Sequence, residues 1–385
     1  MQLSITETCI SKVSERPRIL VVGPLPPPVH GGAVFTQNIL SDPLLRKQLV
    51  MLHVDTADRR DLTNIGRIDL ENIRLAFLHG WRFMQLLVSR WPAIVYVPIA
   101  QNTLGYLRDL FFLLPASLLR KKTIVHFHGA DFQGFYRRSS KLMQALIRVS
   151  LISARRIIVL GEGLRTQFTD FLPMEQIVAV PNGIPDLFAS ADQRPDKSGE
   201  VNVLFLSNLM REKGLFVVLE AARFVVSQEP RACFTLAGAW FRDDDRLAAE
   251  KLVQELSLTD YVRFLGVVTG DAKRQALAGS RLLVFPPVAP EGFGLVILEA
   301  MSAGLPVIAT RQGAIPDVIV EGVTGYVVEP GDAAAIADRI LCLLRDDDSR
   351  WRMGQAGRER FLCNYTLENC TTRLAEVFAQ VLEEA

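Results

Sequence analysis

The sharpest chemical signal in the chain is a pair of glutamates with seven residues between them. In Pro290-Glu291-Gly292-Phe293-Gly294-Leu295-Val296-Ile297-Leu298-Glu299-Ala300 a glycine loop separates Glu291 from Glu299, and the pattern predicts a helix beginning near Gly294. The first amides of a helix have no acceptor inside it and sit at the positive end of its dipole. Those of Leu295 and Val296 would therefore point their donors at an anion. Carboxylates accept hydrogen bonds from sugar hydroxyls, so Glu291 at the loop and Glu299 about one turn into the helix can hold two polyols on either side of a phosphate. A lone helical glutamate is usually a solvated charge. Here Ala300-Met301-Ser302-Ala303-Gly304-Leu305-Pro306 follows, an apolar continuation that argues against a solvated face.

Three weaker constellations point the same way. Ser207-Asn208-Leu209-Met210-Arg211-Glu212-Lys213-Gly214 follows an apolar run and sets a cationic pair before a helix-opening glycine. Lys213 as a point charge and Arg211 as a fork suit phosphate oxygens, although in isolation the segment passes for a charged turn in water. Gly31-Gly32-Ala33 follows four prolines at another strand end. Glycines there let backbone amides approach an anion, or simply make a tight turn. His126-Phe127-His128-Gly129-Ala130-Asp131 places two imidazoles on one strand face. No third ligand stands at a clear spacing for a metal, so none is assigned. His128, where a sheet meets a cleft, is the candidate for orienting substrate; His126 fits a satisfied structural histidine.

These loops need strands and helices to carry them. Short β-branched runs recur at 19–22, 94–97, 123–125, 157–160 and 177–180, and again at 201–206, 234–237, 262–265, 282–285, 307–309 and 326–328. They are nearly continuous in apolar residues, as strands of a parallel sheet buried on both faces are. Amphipathic helical stretches lie between them, for example 136–153, 214–228 and 245–256. Strand and helix in alternation predict an α/β fold with parallel sheets. Residues 189–200 (ASADQRPDKSGE) lack large apolar side chains and read as a linker. The expected organisation is an N-terminal domain at 1–188, a second domain at 201–365, and a helical stretch at 366–385 that follows no strand and can cross back to the first. In open α/β sheets ligands bind beyond the carboxyl ends of the strands, so two such domains facing one another make a cleft lined by the loops described above.

Composition narrows the field. Half the residues are apolar and 22% are charged, which excludes a disordered or disulfide-stapled chain. The apolar run at 110–119 lies between Asp109 and Arg120 and contains Pro115. It is too short for a bilayer span, which needs about 20 residues. The N-terminal residues do not read as a secretory signal, and five scattered cysteines suggest reduced thiols, so a cytoplasmic location is expected. Residues 1–186 carry 22 Lys and Arg against 14 Asp and Glu, whereas the remainder carries 21 against 28. A basic half beside an acidic one suits an anionic acceptor or membrane surface on the first half, or two halves that attract one another. The cations singled out are Arg120, Lys121 and Lys122, and Arg137, Arg138, Lys141, Arg148, Arg155 and Arg156 on an expected helix at 136–156. Neither a dinucleotide fingerprint nor a Walker loop is present, which argues against a nicotinamide oxidoreductase. No nucleic-acid partner is expected.

The ordered set HGGA (30–33), HFHGAD (126–131), VPNGIPDLF (180–188), SNLMREKG (207–214), FLG (264–266), EGFGLVILEA (291–300) and GLPVIAT (304–310) resembles the retaining glycosyltransferases of glycosyltransferase family 4. The resemblance implies the GT-B architecture of two facing Rossmann-like domains. It implies transfer of a sugar from a UDP- or GDP-sugar to a hydroxyl of a glycan or lipid-linked acceptor, in cell-surface polysaccharide or lipopolysaccharide synthesis. Neither a metal nor another cofactor is expected. Gly31 and Gly32 would lie against the donor diphosphate or the reacting sugar, and His128 and Asp131 on the acceptor side. Lys213, Gly294, Leu295 and Val296 would bind phosphate, Glu291 the donor sugar and Glu299 the ribose. The turn around Val267 would meet the base. His128, Lys213 and Glu291 would be catalytic. Where the family commonly has Gly-Arg this chain has Ser207-Asn208, which leaves Arg211 as the candidate replacement. A same-fold epimerase or phosphorylase, or a non-catalytic nucleotide-sugar-binding protein, would share these motifs.

Overall fold

A computed structural model of the protein describes residues 16–27, 31–59, 70–189 and 201–384. The continuous apolar runs form two six-stranded sheets, every pairing parallel. The first contains β1 (Arg18–Gly23), β2 (Val50–Asp55), β3 (Ile94–Ile99), β4 (Lys122–Phe127), β5 (Arg156–Val159) and β6 (Ile177–Ala179) in the order β2-β1-β3-β4-β5-β6. The second contains β7 (Val201–Leu206), β8 (Ala232–Ala237), β9 (Val262–Gly266), β10 (Leu282–Phe285), β11 (Val307–Thr310) and β12 (Gly325–Val328) in the order β12-β11-β10-β7-β8-β9. In both sheets the strand order reverses beside the first strand: between β1 and β3 in one, between β7 and β10 in the other. Connections leave for opposite faces at such a point, and a crevice opens beyond the strand ends.

Helices cover both faces of each sheet. On one side of the first sheet lie α3 (Leu70–Ser89), α4 (Thr103–Leu118), α5 (Phe132–Arg138) and α6 (Lys141–Ile152); on the other lie α1 (Gly31–Ser41) and α2 (Pro43–Gln48). The second lobe adds α7 (Leu215–Gln228), α8 (Asp243–Glu255), α9 (Gly270–Ala278), α10 (Leu295–Ser302), α11 (Ile315–Val318), α12 (Ala333–Arg345) and α13 (Asp347–Asn364). The final helix, α14 (Leu367–Glu383), returns to the first lobe. Leu374, Phe378 and Val381 pack with Ile19, Ile94 and Tyr96 of its sheet. The crossing is fixed by Leu367 N donating to the Ile184 carbonyl at 2.8 Å and by a two-pronged ion pair of Arg358 with Asp186 at 2.7 and 2.8 Å. That guanidinium is the main reason the Asp186 carboxyl is held below its ordinary range.

The structure departs from the sequence-based elements in two places. The strand β2 has no counterpart among the expected runs. It is a sheet edge, half-buried for most of its length, and its His53 and Met51 dilute the apolar signal. The helix expected at 136–156 is two helices, α5 and α6. Ser140 turns its hydroxyl oxygen to accept from Met143 N and caps α6, ending the earlier periodicity. Because α6 ends at Ile152, Arg155 and Arg156 are not on a helix face: Arg156 opens β5, and both guanidinium groups hold Glu384 beyond α14. Lys122 likewise donates to the carbonyls of Val381 and Leu382, so these three cations tie down the C-terminal helix. Most of the linker expected at 189–200, residues 190–200, lies outside the described residues, as does His30.

Candidate active site between the lobes

The two switch-point strands of the second lobe deliver its charged residues. After β7, a short turn at Arg211–Lys213 ends on Gly214 with φ +86°. A Cβ at Gly214 would lie 1.9 Å from the Pro286 carbonyl oxygen, so only glycine lets this turn lie against the exit of β10. The consequence is that Lys213, leaving β7, donates its ammonium to Glu291, leaving β10. The amides of Leu295 and Val296 then open α10 a few residues on. An ammonium, a carboxylate and a helix N-terminus thus share the second lobe's crevice. An arriving phosphate would take over the ammonium, and the released carboxylate would be free to accept from hydroxyls.

Glu299 lies further along α10. Its Oε1 accepts from Lys273 on α9 at 2.8 Å, while Oε2 is buried with no hydrogen-bond partner among the described residues. One oxygen is anchored and the other is left for a donor such as a ribose hydroxyl. Sequence reasoning missed Lys273, because a single lysine in Gly270–Ala278 looks like any solvated helix residue. Val267 stands exposed in the turn between β9 and α9, the helix that carries Lys273. Arg211 goes elsewhere. Its guanidinium lies 4.1 Å over the Phe216 ring and 3.9 Å from Asp245, so Lys213 is the cation that meets Glu291.

The first lobe meets this crevice with the loops after β1, β3 and β4. The carbonyl oxygen of His128 stands so close to Gly292 that a Cβ there would be 2.0 Å from it. A Cβ on Gly31 would lie 4.0 Å from Leu295 Cδ1. Gly31 and Gly32, opening α1, and His128, ending β4, are therefore brought to the same mouth as Glu291 and Leu295. The His126 and His128 rings stack at 4.1 Å, with Phe35 set edgewise against both. His126 Nδ1 bonds the buried Tyr96 hydroxyl, which suits a structural role. Burial pushes the His128 imidazole down to about 4 and His126 well down, so both are neutral near pH 7. The Nε2 atoms of His126 and His128 are both buried with no protein partner among the described residues, so His126 is satisfied only at Nδ1, whereas the sequence suggests a fully satisfied histidine.

Asp131 caps α5 by accepting from Gly134 N at 3.1 Å, and its other oxygen pairs with Arg138 at 2.8 Å. Gln101, just beyond β3 at the switch point, was not singled out from the sequence. Its Oε1 accepts from Asp131 N at 3.3 Å, and its Nε2 is buried without a partner among the described residues. The signal that finds it is topological, since the residue after a switch-point strand is visible only once strand order is known.

Residues 189–360 match the family model described as glycosyl transferases group 1. The chain is similar to N-acetyl-alpha-D-glucosaminyl L-malate synthase of Bacillus anthracis, at 28% identity over 69% of each chain. It is 34% identical to a phosphatidyl-myo-inositol mannosyltransferase of Mycobacterium leprae over 47% of this chain and 48% of that one. In three dimensions it resembles Anabaena Alr3699/HepE, crystallised in complex with UDP, with a TM-score of 0.73 at 18% identity, over 94% of this chain and all of the other. The chain has the GT-B fold, and its second lobe matches the glycosyl transferases group 1 family. The matched segment contains Lys213, Lys273, Glu291 and Glu299. The structural likeness extends to the lobe that carries Gly31, Gln101 and His128. Among the described residues, no group of three or more His, Cys, Asp or Glu converges as a ligand set would.

Proposed function

We propose that this glycosyltransferase moves a sugar from a UDP- or GDP-sugar to a hydroxyl of a glycan or lipid-linked acceptor, with retention at the anomeric carbon and without a metal, in the synthesis of a cell-surface polysaccharide or lipopolysaccharide. The observation that carries this reading is the Lys213–Glu291 pair at the switch point of the second sheet, beside the N-terminus of α10. It matches a diphosphate flanked by hydroxylated groups. The relatives named as a glucosaminyl-malate synthase and a phosphatidylinositol mannosyltransferase support a hydroxylated acceptor, soluble or lipid-borne.

The acceptor oxygen attacks the anomeric carbon on the face from which the diphosphate leaves. The bond from that carbon to the phosphate oxygen breaks, its electron pair stays on the diphosphate, and the acceptor proton passes to a phosphate oxygen. Negative charge grows on the leaving group, and Lys213 with the amides of Leu295 and Val296 stabilises it there. Glu291 holds hydroxyls of the transferred sugar and Glu299 those of the ribose. Neutral His128 is placed to hydrogen-bond the transferring sugar through Nε2. Asp131, held as a helix cap, positions the acceptor-side loop, and the Val267 turn meets the base. Closure of the lobes excludes water, the competing acceptor.

The test is to follow nucleoside diphosphate release from UDP- and GDP-sugars with and without candidate acceptors, and to read the product's anomeric configuration by proton NMR. Acceptor-dependent release, a retained configuration and indifference to chelator are expected. Release of free sugar alone, or dependence on inorganic phosphate, would assign the same cleft to hydrolysis or phosphorolysis.

A further inference from the structure

Helices on the surface of a water-soluble lobe turn one apolar stripe inward and a polar face outward. Three neighbouring helices of the first lobe do not. In α4 the inward side is formed by Tyr106, Leu110, Leu113 and Ala116, all buried. Its outward side carries Leu107, Phe111, Leu114 and Leu118, all exposed, with Leu118 at 82%. The spacing of four, three and four residues is that of one helix face, and it runs for about 16 Å at 1.5 Å per residue. On one flank α3 exposes Phe77, Leu78, Trp81 and Val88, and Phe77 meets Phe111 edgewise at 5.8 Å. On the other flank α6 exposes Leu142, Val149 and Ile152, and Ser150 of α6 hydrogen-bonds Tyr106 of α4 at 2.8 Å. The stripes of α3 and α4 therefore meet in one contiguous apolar surface, and α6 adds its own beside α4. Isolated exposed apolar side chains need no explanation, but a contiguous field does.

The charges around it select the occupant. Residues 70–153 contain 11 Lys and Arg but only three Asp and Glu. Those three acids, Glu71, Asp109 and Asp131, are each paired with an arginine, Arg74, Arg108 and Arg138. Arg82, Arg120 and Arg148 stand exposed on the helices or at their ends. Lys121 lies 3.3 Å over the exposed Trp91 ring. Aliphatic and aromatic side chains rimmed by cations match the boundary between acyl chains and anionic headgroups. A second copy of the chain would set like charge against like across a two-fold axis.

We propose that the α3–α4–α6 face docks on an anionic lipid bilayer, with the outward stripe of α4 at its centre. No helix among the described residues is long and apolar enough to cross a membrane, so the contact is with the surface. The stripe has a direction. Since α4 follows β3, its N-terminal turn lies at the carboxyl edge of the sheet, next to Gln101 and the cleft mouth, and Leu118 lies at the far edge. A lipid-borne substrate diffusing in the bilayer would thus reach the mouth along the docked face. The proposal goes beyond the sugar-transfer reading and does not depend on which sugar is moved.

The full chain is sedimented with vesicles of phosphatidylcholine alone and of phosphatidylcholine with phosphatidylglycerol, at low and high salt. Sedimentation with the anionic vesicles, weakened by salt, is expected. A Phe111→Ser/Leu114→Ser/Leu118→Ser variant is expected to lose at least about tenfold in apparent affinity, since each buried CH2 adds to membrane partitioning. An Arg82→Glu/Arg120→Glu variant should lose most of the preference for anionic vesicles. All these positions are exposed, so thermal unfolding of both variants should match the parent. The proposal is overturned if the parent ignores anionic vesicles, or if the triple variant binds them unchanged. It is equally overturned if the apolar substitutions abolish a dimer in sedimentation velocity and leave lipid binding intact.

Discussion

The two lobes share one sheet plan but face the solvent differently. Around the second sheet the long outer helices are ordinary: α8 opens on Asp243, Asp244 and Asp245, and exposed apolar side chains such as Phe224, Leu247 and Trp351 belong to separate elements. Around the first, three adjacent helices turn apolar stripes outward within a cationic rim. The chemistry divides in the same way. The second lobe's site is made of charges already satisfied by one another, Lys213 with Glu291 and Lys273 with Glu299, which a polar ligand can exchange for its own groups. The first lobe contributes uncharged groups, His128 and Gln101, with buried nitrogens that have no protein partner among the described residues. On the proposed reading, one plan serves a lobe for the charged donor and another for the acceptor hydroxyl.

Acid should separate the lobes most strongly. All five histidines precede residue 130, so the second lobe has none. Burial depresses His53, His79, His126 and His128, the last to about 4. An unfolded imidazole binds its proton near 6.5, so unfolding takes up protons once the pH is below that value. The stabilising contribution is complete above about 6.5 and drains away as the pH falls toward 4. His128 alone accounts for about 3 kcal/mol across this window. Limited proteolysis between about pH 7 and about pH 5 should therefore cut the first lobe before the second. Earlier cleavage in the second lobe would break the contrast.

The seam between the lobes comes next. Gly292→Ala forces a Cβ against the His128 carbonyl, so the lobes can no longer approach. The expected loss is about 10²-fold in kcat/KM, as misplacement of reacting groups by about 1 Å produces. An unchanged rate would mean that the two loops need not meet. The smallest effect sharpens the donor side. Lys273→Met removes the anchor of Glu299, and a charged hydrogen bond contributes about 1.5–3 kcal/mol. A donor KM raised about tenfold with kcat retained is expected, which steady-state kinetics at saturating acceptor will read.

Legibility followed the physics of burial. Strands covered on both faces announce themselves as unbroken apolar runs, and both sheets were readable for that reason. The edge strand β2 was not, because half of it faces outward and His53 interrupts it. The stretch at 110–119 read as an interrupted apolar run. Only the structure separates its inward side from its outward one, since both are apolar and periodicity cannot divide them. In the site, Glu291, Glu299 and Lys213 were legible because glycine loops and helix starts frame them. Lys273 and Gln101 depend on which strands are neighbours, and local sequence carries no record of that. Arg155 and Arg156 look like helix-face cations in the sequence, but α6 ends at Ile152 and β5 opens at Arg156.

The central claim is that a sugar-linked diphosphate is gripped by Lys213 and the N-terminus of α10. The most direct test is calorimetric titration of UDP- and GDP-sugars into the parent chain and into Lys213→Ala, a variant whose thermal unfolding can be checked beforehand. At least one donor should bind the parent, and its affinity should fall by about tenfold to a hundredfold in the variant, the range expected for losing a charge-assisted contact. Equal affinity for both proteins, or binding of neither class of donor, would contradict the account.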